Sequence, residues 1–208
     1  MIRRITLLFV ICIAAWMPSQ AQKSAEALLD NVIEQMHKAR GITAEFTLQG
    51  DERNALYMQG ELKMKGKKFF LQTNGMATWY DGKTMWSYAE VTGEVNVSEP
   101  TTQELMSINP YYSIDKYKKS FVVTELQAAR GGERRICLTP TGRNTSIARI
   151  VVTITTGSLQ PVSFEITDLN NSTSRISVTN YRTDADLTED TFVYDASLYP
   201  QAVVVDLR

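Results

Sequence analysis

The sequence predicts a mainly β protein: a single curved antiparallel sheet of about 10–12 strands forming an incomplete (half) β-barrel, covered by a few α-helices acting as a lid. Period-two alternation recurs in short runs from Ile42 to Tyr181, each closed by turn residues. Helical spacing is confined to two short stretches, so alternating βαβ units are ruled out. A sheet with this many strands must curl, close or split, and so little helix leaves its apolar face under-covered.

The N-terminus reads as a secretory signal. Arg3 and Arg4 precede an apolar run from Ile5 to Trp16, 12 residues long, where a bilayer span needs about 20. Pro18 breaks the run, and Ser19-Gln20-Ala21 offers the small residues a signal peptidase inspects. Cleavage is expected after Ala21, leaving 22–208 as one soluble periplasmic domain. A lipidated start at Cys12 competes, but Ile11 stands where a small residue belongs. With 22 basic and 23 acidic residues overall, loss of Arg3 and Arg4 leaves an acidic excess, which argues against a nucleic-acid partner. Cys137 is the only cysteine beyond the signal, so no internal disulfide is available, and a monomer is expected.

Ser24 to Ala39 reads as a helix capped by Ser24, with Leu28, Leu29, Val32, Ile33 and Met36 at helical spacing and Gly41 ending it. Ile42, Ala44, Phe46 and Leu48 then alternate with polar residues. Met58, Gly60, Leu62 and Met64 repeat the pattern, which predicts a hairpin. Phe69–Thr73, Met76–Tyr80, Thr84–Ala89 and Glu94–Ser98 follow, turned by Gly66-Lys67-Lys68, Asn74-Gly75 and Asp81-Gly82. Glu99-Pro100 opens a second helix with Leu105, Met106 and Ile108 on its apolar side. Strands resume at Phe121–Leu126, Arg134–Thr139, Ala148–Thr155, Val162–Asp168 and Arg175–Tyr181, and Phe192–Tyr194 and Val203–Leu207 read as extended.

An acyl-chain cavity is expected to be lined by Phe46, Leu48, Met58, Leu62, Met64, Phe69, Leu71, Trp79 and Trp86. Its lid is expected to come from Leu28, Val32, Met36, Leu105, Met106 and Ile108. A two-residue Asp81-Gly82 loop would pair Tyr80 with Lys83 and put Ala77, Trp79, Trp86 and Tyr88 on one face. The larger aromatic area of that set argues for placing it inside, two ligand-free core tryptophans being the alternative. The methionines would suit flexible alkyl chains, ordinary core filling being the alternative that any one of them fits first.

Catalysis finds little support. His37 is the only histidine, at the end of a predicted helix, and no zinc spacing, nucleophile elbow or phosphate loop occurs. Cys137 lies between Ile136 and Leu138 and reads as a buried thiol. No enzymatic activity, metal or cofactor is expected. Lys63, Lys65, Lys67 and Lys68 crowd one turn, readable as a solvated turn or as a contact for headgroups or an acidic partner.

Ile42-Thr43-Ala44-Glu45-Phe46-Thr47, Gln59-Gly60-Glu61-Leu62 and above all Asp81-Gly82-Lys83-Thr84-Met85-Trp86 resemble the periplasmic lipoprotein carrier family LolA, as do the closing Thr191-Phe192, Tyr199-Pro200 and Val203-Val204-Val205. The resemblance implies a half-barrel with a helical lid over an apolar cavity. Such carriers take lipoproteins from an inner-membrane lipoprotein-releasing ABC transporter to an outer-membrane acceptor, without cofactor. Where the family often has an Arg-Pro pair after the second strand, whose arginine bonds to the lid, this chain has Gly66-Lys67-Lys68, so that latch does not carry over. A sensor of mislocalised lipoproteins or lipid built on the same half-barrel is the alternative, and a structural or adhesive β-protein ranks third.

Overall fold

The computed structural model describes residues 20–51, 56–102, 104–105, 117–126, 131–142 and 146–208. The expected signal segment up to residue 19 and two expected lid residues, Met106 and Ile108, fall outside them. Helix α1 (Gln20–Lys38) begins earlier than its sequence signal. Ser24 is therefore no cap: it lies inside the helix, and its Oγ accepts a hydrogen bond from the Arg134 guanidinium at 3.0 Å. Ala25, Leu28, Leu29 and Val32 all face inward and are buried, as their spacing requires.

Twelve strands follow among the described residues: β1 (Ile42–Gly50), β2 (Tyr57–Lys65), β3 (Lys68–Thr73), β4 (Met76–Tyr80), β5 (Met85–Ala89), β6 (Glu94–Ser98), β7 (Phe121–Glu125), β8 (Glu133–Pro140), β9 (Ile147–Thr155), β10 (Pro161–Asp168), β11 (Thr173–Arg182) and β12 (Val203–Asp206). They form one sheet in the order β12-β6-β5-β4-β3-β2-β1-β11-β10-β9-β8-β7. All neighbours are antiparallel except β12, which runs parallel to β6. Among the described residues β7 and β12 are the two edges, so the sheet is open, as an incomplete barrel must be. The chain meanders outward from β1 to β6, restarts at β7 on the far side, and returns until β11 pairs with β1.

The predicted β1–β2 hairpin forms, with Ile42 opposite Met64 and Leu48 opposite Met58. In β2, Gly60 stands opposite Phe46; a Cβ there would lie 2.0 Å from the Gln72 carbonyl oxygen and 2.8 Å from Phe46 Cζ, so the ring occupies the space the glycine leaves. The β4–β5 loop is longer than predicted. Tyr80 pairs with Met85, not Lys83, because Asp81 Oδ1 accepts from the backbone N–H of both Lys83 and Thr84 at 2.8 Å and draws them into the turn. The slip is an even number of residues, so the predicted faces survive.

Thr101, not Pro100, opens the second helix. The Thr101 backbone N–H and hydroxyl both donate to the Glu104 carboxylate at 2.7 and 2.8 Å, while the Glu104 N–H donates to Thr101 Oγ1 at 3.3 Å, a capping box. Near the C-terminus a 3-10 turn, Glu189–Phe192, ends on the fully buried Phe192, the first residue of the segment expected to be extended, and Val193 after it is extended. The lysine-rich turn holds it: Lys65 Nζ donates to the Leu187 carbonyl at 2.7 Å and Lys68 pairs with the Glu189 carboxylate. Lys63 pairs with Glu61 at 3.2 Å and sits over the Phe70 ring. Lys65 and Lys68 thus clasp the chain's own C-terminal segment.

Candidate functional site: a half-buried apolar band on the inner face

Successive side chains of a strand point to opposite sides, so the cross-strand register sorts every residue onto a face. One face carries Ile42, Ala44, Phe46 and Leu48 of β1, with Met58, Leu62 and Met64 of β2 and Phe69 and Leu71 of β3 opposite them in turn. It continues through Val178 and Ile176 of β11 to Phe164 and Ile166 of β10, then to Val152 and Ile150 of β9. Helix α1 packs on this face, which makes it the inner one.

Two ends of the face are sealed. Ala25, Leu28, Leu29 and Val32 of α1 lie on Val123, Ile136, Leu138, Val152 and Ile154 of β7–β9, with Ile136 and Ile154 fully buried. The other seal joins Ile42, Met64, Phe69 and Tyr80 under Leu105 of the second helix, with Met36 packed against both clusters. Between them Phe46, Leu48, Met58, Leu62, Leu71, Phe164, Ile166, Ile176 and Val178 remain only half-buried. Phe46 faces Val178, Leu48 faces Ile176, Ile176 faces Phe164 and Leu62 faces Leu71, so the band is continuous from β10 to β3. Five strands at about 4.8 Å spacing make it roughly 19 Å wide.

Glu45, Glu61, Lys63, Glu165 and Arg175 occupy the opposite parity, while Asp168, which closes β10 on the parity of Phe164 and Ile166, turns to the loop and accepts from the Asn170 and Ser172 backbone N–H groups at 2.8 and 2.9 Å. Tyr181 borders it beside Ile42, and burial pushes its phenol up to about 12. At the far end Arg134 forks onto Glu125 at 2.7 and 2.6 Å while also reaching Ser24. The hydrogen bond from Arg134 holds the Glu125 carboxyl below its ordinary range. This arginine ties α1 to β7 and β8, a different connection from the lid-latching arginine that the resemblance implied and this sequence lacks. A hollow of about 410 Å³ at the β1–β11 irregularity, lined by Glu45, Glu61, Asn180 and Arg182 among others, is too polar to hold hydrocarbon.

The expected site residues therefore divide. Phe46, Leu48, Met58, Leu62 and Leu71 lie in the band; Met64 and Phe69 share its face but are sealed beneath Leu105. Trp79 and Trp86 do not join them. Trp79 pairs with Phe70 and Trp86, the parity opposite to Phe69 and Leu71, and it stacks edge-on against Tyr194 and Tyr199 with ring centroids 5.5 Å away in each case. The C-terminal segment gives the outer face a small aromatic core of its own, which is why the larger aromatic area misled the assignment. Of the expected lid, Leu28 and Val32 seal the β7–β9 end, Met36 bridges, and Leu105 caps the second cluster. Sequence reasoning missed Phe164, Ile166, Ile176 and Val178; their alternation was visible, but not that β11 would close on β1.

The family described as outer membrane lipoprotein carrier protein LolA matches residues 17–194. The chain belongs to that family. A search of curated proteins finds no match. Among solved structures it is similar to an uncharacterized conserved protein from Thermus thermophilus, at 17% identity and a TM-score of 0.59, covering 88% of this chain and 99% of the other. It is similar also to a DUF1329 family protein from Desulfovibrio piger, at 14% identity and a TM-score of 0.51, covering 85% and 98%. These likenesses show a shared fold and say nothing about cargo.

Proposed function

We propose that this chain is a periplasmic carrier that shelters the acyl chains of lipoproteins on the inner-face band and moves them from the inner to the outer membrane. The observation that carries the reading is the half-buried apolar strip from Phe164 to Leu71, on a face otherwise sealed at both ends. At about 0.8 kcal/mol per methylene, removing a 16-carbon chain from water is worth on the order of 10 kcal/mol. That suffices to hold a cargo through hydrocarbon burial alone, with no cofactor and no covalent step. Release then requires an acceptor that offers equal burial. Family membership supports the same reading, with an inner-membrane lipoprotein-releasing ABC transporter as donor and an outer-membrane acceptor as recipient.

The test is native mass spectrometry of the secreted chain incubated with a triacylated lipopeptide, wild type against Leu62→Glu. The wild type is expected to carry the lipopeptide, and the variant to lose it while keeping its thermal midpoint within a few degrees. Equal loading of both would remove the band from the mechanism.

A further inference from the structure

The last strand leaves an edge that natural sheets usually blunt. Among the described residues β12 (Val203–Asp206) pairs with β6 on one side only. The Val203 N–H donates to the Gly93 carbonyl at 2.9 Å and the Leu207 N–H to the Val97 carbonyl at 2.8 Å, so the odd-numbered residues spend their backbone groups on β6. By the alternation of a ladder, Val204 and Asp206 aim theirs outward. The edge has no lysine, bulge or internal proline, and Val203, Val204 and Leu207 are 61%, 53% and 64% exposed.

We infer that β12 pairs antiparallel with β12 of a second copy of this chain, about a twofold axis through Val205. The register is what selects this partner. With the axis at Val205, Val204 faces Asp206 of the other copy and Asp206 faces its Val204, so both outward residues form hydrogen-bonded pairs, giving four backbone bonds. The same register sets Val203 against Leu207 and Val205 against Val205, an apolar row contributed equally by both chains. Centring on Asp206 instead would oppose two carboxylates and call on the Arg208 N–H, which already donates to Asp206 Oδ1 at 3.1 Å. Centring on Val204 would set Leu207 against the polar Gln201. Of these three registers the Val205 axis alone pairs both outward backbone groups while keeping the row of Val203, Val205 and Leu207 apolar, and isologous contacts of this kind close as dimers. The two sheets would join edge to edge without touching the apolar band, so this inference is independent of the cargo reading and revises the expectation of a monomer.

Such a strand pair is small and belongs with weak, reversible interfaces. The experiment is disulfide trapping in the secreted chain with Cys137 replaced by alanine, comparing Val205→Cys, Val203→Cys and Leu207→Cys under mild oxidation. Val205→Cys is expected to form a covalent homodimer, because residues across the axis are a close non-hydrogen-bonded pair; each other variant alone should stay monomeric, and mixing the two should give a heterodimer. Sedimentation of the wild type should show dimer growing from tens to hundreds of micromolar, and Val205→Lys should abolish it. A wild type that stays monomeric at about 1 mM, or crosslinking that is as efficient at 203 as at 205, would overturn the inference.

Discussion

The two stretches of the inner face, β7–β9 and β10–β3, are built from the same kinds of residue and end in opposite states. At β7–β9 the isoleucines, leucine and valines meet α1 and vanish from solvent, Ile136 and Ile154 completely. At β10–β3 an equally apolar set, Phe164, Ile176, Phe46 and Leu62 among them, is left half-buried. The first is a core and the second is half of one. The comparison teaches that apolar patterning fixes which way a strand faces, whereas the reach of α1 decides whether that face is closed or left half-buried.

The sharpest way to break this contrast is to place one carboxylate in each region. Ile136→Asp buries a charge without a partner and is expected to cost on the order of 4 kcal/mol, enough to abolish cooperative unfolding in urea. Ile176→Asp should leave the urea midpoint close to wild type and remove lipopeptide binding. Equal losses of stability at the two sites would erase the distinction.

A smaller effect is expected at Gly60, which lies in the open region but supports the Phe46 ring. An alanine Cβ would meet the Gln72 carbonyl at 2.0 Å, so the strand pair must shift; a loss of about 2 kcal/mol in urea unfolding is expected. Smaller still is the pH response at the border. The Tyr181 phenol is raised by burial to about 12, above its ordinary value of 10. Its contribution is full below pH 10 and lost as pH rises towards 12, because the unfolded chain ionises first. Tyr181→Phe should flatten alkaline unfolding in that window. The least effect is expected where Arg134 lowers the Glu125 pKa: the pair contributes above the ordinary carboxylate pKa and is lost as pH falls through the lowered one. Glu125→Gln should cost about 1 kcal/mol at neutral pH and weaken the acid dependence.

Much of the fold was legible because it is local. The β1–β2 hairpin follows from two alternating runs and a polar turn, and the β4–β5 faces survived a misjudged loop because parity is insensitive to an even slip. What failed was non-local. Nothing in Arg175–Tyr181 announces that it will lie against β1, so Ile176 and Val178 could not be joined to Leu48 and Phe46. Trp79 and Trp86 were assigned by hydrophobic area, but the area needed on the outer face depends on Tyr194 and Tyr199 folding back over it, a contact set by the clasp at Lys65 and Lys68. The cap on α1 failed for the opposite reason: Ser24 has the right chemistry for an N-terminus, and the helix starts before it.

Methyl-resolved NMR of residues 22–208 during titration with a triacylated lipopeptide tests the division of the inner face most directly. Methyl signals of Leu48, Leu62, Ile166, Ile176 and Val178 should shift strongly, while those of Val123, Ile136 and Ile154 beneath α1 should hardly move. Shifts spread evenly over both groups, or confined to the sealed one, would contradict the account.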